Sequence, residues 1–230
     1  MVRISIEGNI ASGKSTLCRI CETPEVVERY FANHRPVRTL QENVQWFTET
    51  GLLTAYENDM EKYGFVFQIG ARTERYVSQL IDVQTYQTTS GLTIQDRSVY
   101  GDKNTFAQNL HNTGKINDIE WRQYLRDFDF HEKLFKHIGI KQDGFIFLNT
   151  SPELCYHRMI NVRRRDAEKN LPINYLHQLQ ALHIDWLGNE NGKTVDGIPV
   201  LQLNGNFDFE HDPVALHHTL STISDWVNGL

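Results

Sequence analysis

Apolar and polar positions alternate over the first residues of the chain, with Val2, Ile4 and Ile6 separated by Arg3 and Ser5, the two-residue period of a short strand. A few residues later the period changes, and Leu17, Ile20 and Cys21 fall at helical spacing. The same switch recurs along the chain. Strands are predicted at Val2–Glu7, Val37–Gln41, Leu92–Gln95, Phe145–Asn149 and Pro199–Leu203. The longest helical pattern runs from about Met60 to Gln84, with Met60, Tyr63, Phe67, Ala71, Val77 and Ile81 at three- and four-residue steps. Another covers about Tyr175 to Leu187. Neither a repeat nor a low-complexity linker divides the chain. This order predicts one α/β domain over residues 1–230, a three-layer α/β/α arrangement around a parallel five-stranded sheet.

In such sheets ligands bind beyond the carboxyl ends of the strands, so chemistry-bearing residues should follow each strand directly. They do. Gly8-Asn9-Ile10-Ala11-Ser12-Gly13-Lys14-Ser15 follows the first strand and fits G-x-x-x-x-G-K-[ST], with Thr16 next. A strand, a glycine loop and a helix start aim backbone N–H groups and a positive dipole end at phosphate oxygens. Lys14 would neutralise terminal phosphate charge, and the Ser15 hydroxyl is placed to ligate Mg²⁺. The motif and its setting predict a nucleoside triphosphate site. Glu42 follows the second strand, Asp96-Arg97-Ser98 the third, and Arg163-Arg164-Arg165 a helix after the fourth.

Phosphoryl transfer is mostly positioning plus stabilisation of charge on the moving group. Asp96 is placed to share the metal with Ser15, and Arg97 to orient the acceptor or the phosphoryl. A hydroxyl acceptor gains from a nearby base, whereas an anionic acceptor would be repelled by a carboxylate, so Glu42 points to an alcohol. An arginine segment over about 161–171 would close on the triphosphate as a lid, excluding water. On the long helix Gln68, Ala71 and Arg75 share a face; a Gln amide can read a nucleobase edge. Arg75 needs a partner there, and Asp102 is the candidate.

Composition narrows the class. The formal charge of −6 disfavours a nucleic-acid partner, which demands concentrated Lys and Arg. No apolar run approaches the ~20 residues of a membrane span. A strand beginning at residue 2 leaves no room for a targeting peptide, and three cysteines suit a reducing compartment, so a cytoplasmic protein is expected. Cys18 and Cys21 form a C-x-x-C without a second ligand pair and are expected in the core.

Residues 4–16, Phe67-Gln68, Asp96 to Asp102 and Arg163 to Pro172 together resemble the cellular and viral deoxyribonucleoside kinase family, most closely its deoxycytidine/deoxyguanosine kinase branch. The resemblance extends over nearly the whole chain. It implies a P-loop kinase fold, a homodimer, and transfer of the ATP γ-phosphate to a deoxynucleoside 5′-hydroxyl. It also implies Glu42 as the base with Arg97 beside it, Gln68 reading the nucleobase, and Tyr56 with Glu168 gripping the 3′-hydroxyl. Trp46, Phe67 and Phe106 are similar to the aromatic walls, Arg163 and Arg165 to the lid arginines. Asp208-Phe209 resembles the loop touching adenine. Arg75 with Asp102 resembles the polar pair of the deoxycytidine and purine branch. The family's Glu-Arg-Ser is Asp96-Arg97-Ser98 here, one methylene shorter. A thymidine- or thymidylate-type kinase is the alternative, and a nucleotide switch lacks both its D-x-x-G after a strand and its N-K-x-D.

Overall fold

In a computed structural model, the described residues are 1–42, 44–86, 90–163, 171–188 and 194–230. Six strands form the sheet: β1 (Val2–Glu7), β2 (Val37–Leu40), β3 (Leu92–Asp96), β4 (Gly144–Asn149), β5 (Thr194–Val195) and β6 (Ile198–Asn204). Their order is β2-β3-β1-β4-β6-β5. The first five are mutually parallel, and only β5 runs antiparallel, to β6. The expected five strands are therefore joined by a sixth. Its signal is Asp196-Gly197, both at positive φ (53° and 79°), the residue pair of a tight hairpin.

The helices are α1 (Lys14–Cys21), α2 (Pro24–Tyr30), α3 (Val44–Glu49), α4 (Leu52–Asn58), α5 (Met60–Tyr86), α6 (Val99–Gly101), α7 (Gln108–Asn112), α8 (Asp118–His137), α9 (Pro152–Arg158), α10 (Ile173–Leu187) and α11 (Pro213–Val227). Between α6 and α7 the chain stays helical, with hydrogen bonds widened by one residue over Asp102–Ala107, a distortion often found at functional sites. α8 starts on a capping box: Asn117 Oδ1 accepts from the Glu120 backbone N–H (3.0 Å), and the Glu120 side chain accepts from that of Asn117 (3.0 Å). Ser151-Pro152 and Asp212-Pro213 start α9 and α11 as cap and first-turn proline.

Apolar clusters cover both sheet faces. On one, Ile4, Ile6, Ile94 and Leu148 pack against Leu17, Cys18 and Cys21 of α1 and Leu220, Ile223 and Val227 of α11. On the other, Phe145 and Phe147 meet Tyr76, Phe128, Phe135 and Leu187 from α5, α8 and α10. The three layers are thus as expected, and Cys18 and Cys21 are core residues.

The polar positions of β1 do not face water. Arg3, Ser5 and Glu7 are all buried under the second helical layer. Arg3 pairs with Asp82 of α5 (3.3 Å), which also holds Arg38 of β2 (2.8 Å). Two-residue alternation in a strand covered on both faces marks an internal polar seam.

α5 buries polar side chains in the same way. Its buried positions include Gln68, Ala71, Arg72, Arg75, Gln79 and Asp82, whereas Val66, Val77 and Ile81 are exposed. A polar stripe faces the sheet beside Tyr76 because it builds the site, and a second, apolar stripe of Val66, Val77 and Ile81 is left on the outside. α8 behaves alike, exposing Ile119, Phe130 and Leu134.

Candidate active site

Parallel pairing brings three strand ends to one edge. Ile6 of β1 lies opposite Asp96 of β3, and Leu40 of β2 opposite Gln95. The glycine loop, Glu42 and Asp96-Arg97 consequently converge. The cavity there is lined by Ile10, Lys14, Ser15, Glu42, Phe47, Leu53, Tyr56, Met60, Phe67, Gln68, Ala71, Arg75, Asp96, Arg97, Asp102, Phe106, Arg163 and Tyr175, among others.

The loop is tightly held. Gly8 has φ 150°, and a Cβ there would come within 2.7 Å of the Leu148 carbonyl oxygen. The Asn9 side chain donates to Leu176 O of α10 (2.8 Å) and accepts from the Ile10 N–H (2.9 Å), so it braces the loop from within. Thr150 Oγ1 (3.0 Å) and Arg158 Nη1 (3.2 Å) both donate to Ser12 O. Arg158 also donates to Gly205 O and Phe207 O, tying the phosphate loop to the segment after β6. There Phe209 packs near Gly13, while Asp208 is exposed and caps its own turn through the N–H groups of Glu210 and His211. Thr16 lies in the first turn of α1.

Lys14 folds over this loop, its Nζ 2.7 Å from Asn9 O and 3.1 Å from Gly8 O. Burial, reinforced by Arg97, lowers its ammonium to about 8. Ser15 Oγ donates to the Asp96 carboxylate. Two hard oxygens side by side at the loop are a donor set that fits a magnesium ion.

Arg97 has φ 70°, a left-handed conformation that a residue with a Cβ adopts at a cost. Its Nη2 donates to Gly8 O (3.2 Å), its guanidinium lies 4.1 Å from the Phe106 ring centroid, and its Nη1 is buried with no acceptor among the described residues.

Arg75 organises the acceptor end. Its Nε donates to Asp102 (2.6 Å), its Nη2 to Glu42 (2.9 Å), and its Nη1 to the carbonyls of Asp96 (3.2 Å) and Arg97 (3.3 Å). Burial alone would lower the guanidinium, but the two carboxylates hold it above its ordinary value. The expected Arg75–Asp102 pair is present. The partner of Glu42 is Arg75, with Arg97 in the same cleft but turned to the loop. Loss of water raises the Glu42 carboxyl, yet Arg75, Arg97, Lys14 and Arg163 outweigh it and keep the group below the usual carboxylate range. Glu42 is thus an ionised acceptor at neutral pH.

Gln68 is buried with its Oε1 unpartnered among the described residues, a free acceptor inside the cavity. Phe67 stacks on Tyr56 (4.2 Å between centroids, 10° between planes). Tyr56 of α4 and Tyr175 of α10 both line the cavity. Trp46 does not line the cavity. It is 38% exposed, edge-on to Phe47, and Phe47, 3% exposed, takes the wall position. One residue of helical rotation in α3 separates the two, below what sequence spacing resolves. Arg163 reaches the cavity rim; Arg165 and Glu168, with most of the lid, lie outside the described residues. Phe47, Tyr175, Arg158 and Thr150 carry no motif of their own.

The deoxynucleoside kinase family profile matches residues 4–228. The chain belongs to that family. It is 35% identical to a probable deoxycytidine kinase of fowlpox virus, over 99% of this chain and 89% of that protein. It is 33% identical to the deoxycytidine kinase of Homo sapiens (90% and 85% covered) and 30% identical to the mitochondrial deoxyguanosine kinase of Xenopus laevis (99% and 90%). A deoxynucleoside kinase is an ATP-dependent phosphotransferase, and the convergence of a phosphate loop with an ionised carboxylate across one cavity is what that chemistry requires. No helix among the described residues is long and apolar enough to cross a membrane.

Proposed function

We propose that this chain transfers the γ-phosphate of ATP to the 5′-hydroxyl of 2′-deoxynucleosides, deoxycytidine and purine deoxynucleosides foremost, in nucleotide salvage. The observation that carries the reading is Arg75 bridging Glu42 and Asp102 opposite the phosphate loop. Glu42 takes the 5′-hydroxyl proton as the oxygen attacks the γ-phosphorus and the bond to the bridging oxygen breaks, releasing ADP; Lys14, Arg97 and Arg163, with Arg165 from the lid, balance the equatorial charge. ATP occupies the loop from Gly8 to Thr16, its base toward Asp208 and Phe209. Ser15 and Asp96 would hold Mg²⁺, which when bound would supply Lewis-acid stabilisation of the phosphates. Gln68 presents an amide to the base edge, Phe67 and Phe106 its walls, and Tyr56 with Glu168 hold the sugar. The charged pair at Arg75 and Asp102, and the deoxycytidine and deoxyguanosine kinases among the relatives, favour this over the thymidine reading.

The whole chain acts as one catalytic domain and pairs as a homodimer through the exposed apolar stripes of α5 and α8. Three free, buried cysteines accord with the cytoplasm. Assay with labelled ATP and each deoxynucleoside, with thymidylate in parallel, tests the acceptor. Glu42→Gln is expected to lose about 10²- to 10⁴-fold in kcat while binding deoxycytidine normally. Undiminished turnover by that variant, or phosphorylation of thymidylate alone, would overturn the reading.

A further inference from the structure

Glu7 ends β1 one residue before the phosphate loop, is fully buried, and takes no part in the site as proposed above. Its Oε1 accepts two hydrogen bonds, from the Ser5 hydroxyl (2.8 Å) and from the backbone N–H of Ser98 (2.8 Å). Ser5 is itself engaged by Gln142 Nε2 (3.0 Å), so the carboxylate terminates a side-chain ladder along the inner face of β1.

Its partner on the far side is mechanistically placed. Ser98 N–H belongs to the peptide immediately after Arg97, whose φ of 70° costs on the order of 1–3 kcal/mol unless its surroundings impose it. Two hydrogen bonds flank that strained residue. Its own N–H donates to Ile6 O (3.1 Å), and the next N–H donates to Glu7. The first lies one residue past β3, beside the Ile6–Asp96 pair. The second is charge-assisted when the carboxylate is ionised, and such bonds are roughly twice as strong as neutral ones.

Glu7 has nowhere else to go. Its Oε2 is buried without a partner among the described residues and faces Gly101, where a Cβ would lie 2.2 Å from it and 3.0 Å from Arg97 Cγ. The carboxylate is thus wedged beneath the turn that carries the Arg97 stem. A purely packing role would be met by an apolar side chain with no orphaned oxygen, so the unsatisfied Oε2 is a cost accepted for the bond that Oε1 makes.

We propose that Glu7 is a positioning residue for phosphoryl transfer, acting through the Ser98 amide to hold Arg97 in its left-handed conformation with the guanidinium over the phosphate loop. The inference rests on the kinase reading above. Displacements of about 1 Å in such a group can cost about 10²-fold in rate.

Four variants test it, with deoxycytidine and ATP as substrates. Glu7→Leu, which removes the acceptor, is expected to lower kcat 10- to 100-fold with KM for deoxycytidine within twofold. Glu7→Gln retains the acceptor oxygen and should stay within threefold of the parent. In an Arg97→Ala background, Glu7→Leu should cause no further loss. Should Glu7→Leu fail to fold, Glu7→Asp replaces it, because the shorter side chain draws the carboxylate back from Ser98. Hydrogen exchange over residues 96–101 gives a readout independent of turnover. Protection should fall in Glu7→Leu or Glu7→Asp and persist in Glu7→Gln. The proposal is overturned if kcat and protection both survive loss of the acceptor, if Glu7→Gln is as impaired as Glu7→Leu, or if the loss persists in full without Arg97. A parent chain that fails to phosphorylate deoxycytidine refutes the functional reading instead, and the exchange pattern still decides the role of Glu7.

Discussion

Replacing Arg75 by Met tests the electrostatic arrangement of the site most directly. Met preserves most of the apolar stem but deletes the guanidinium that donates 2.6 Å to Asp102 and 2.9 Å to Glu42. Glu42 is 39% exposed and can turn to water, whereas the Asp102 side chain is 4% exposed and cannot. Removing one partner of a buried ion pair costs about 3–5 kcal/mol, because the other is left charged and dry. For a chain of this size each kcal/mol moves Tm by about 2–4 °C, so a fall of about 6–20 °C is expected.

Burial already raises the Asp102 carboxyl despite Arg75, and the variant removes what opposes that rise. A carboxyl with a folded value above its unfolded one binds more protons when folded. Its protonation therefore relieves the variant as pH falls from 7 toward 5, and the stability gap to the parent should narrow. Arg75→Met/Asp102→Asn, lacking both charges, should regain up to about 3 kcal/mol relative to additivity. Urea denaturation of the four members of the cycle at pH 7 and pH 5 measures these quantities. A loss below about 1 kcal/mol in Arg75→Met, or strict additivity of the pair, would refute the account.

Other outcomes follow from the same geometry. With Lys14 lowered to about 8 in the free chain, a bound triphosphate should restore its proton. ATP affinity is therefore level below pH 8 and falls above it, and calorimetry at pH 8.5 in buffers of unequal ionisation enthalpy should record proton uptake; affinity unchanged to pH 9.5 would contradict this. Phe47→Ala should raise the deoxycytidine KM about tenfold more than Trp46→Ala, since only Phe47 faces the cavity. Equal effects in steady-state kinetics would restore Trp46 to the wall. On the proposed homodimer, charging the outer stripe of α5 by Ile81→Asp should convert a dimeric parent to a monomer in sedimentation; a monomeric parent would refute the dimer, and an unchanged dimer would move its interface elsewhere.

Much of this was legible in the chain because parallel sheets gather their ligand residues by rule. Once the strand starts were found, Gly8 to Ser15, Glu42 and Asp96-Arg97 had to share an edge, and they do. Helical spacing likewise put Gln68, Ala71 and Arg75 on one face. What escaped were features set by facing rather than by sequence distance. Val77 and Ile81 continue the helical pattern of Phe67 and Ala71 yet are exposed, because the polar side of α5 turns inward to partners supplied by Asp102, Glu42 and Asp96. Trp46 and Phe47 differ by a single step in a short helix, and a resemblance carried over by position does not resolve which of the two faces inward. The Glu42–Arg75 contact joins positions 33 apart through side-chain reach, which no periodicity encodes.

The seam along β1 has uneven worth to anyone engineering this enzyme. At its lower end Arg3, Asp82 and Arg38 form a charged knot remote from chemistry, where a well-packed hydrocarbon substitute of matching volume is often neutral or gains stability. At its upper end Glu7, which accepts from Ser5, lies beneath the turn that carries the strained arginine, and on the positioning role proposed for it an apolar substitute there would harden the scaffold while dulling the tool. A thermostabilisation campaign should therefore begin at the foot of the strand and stop before its head.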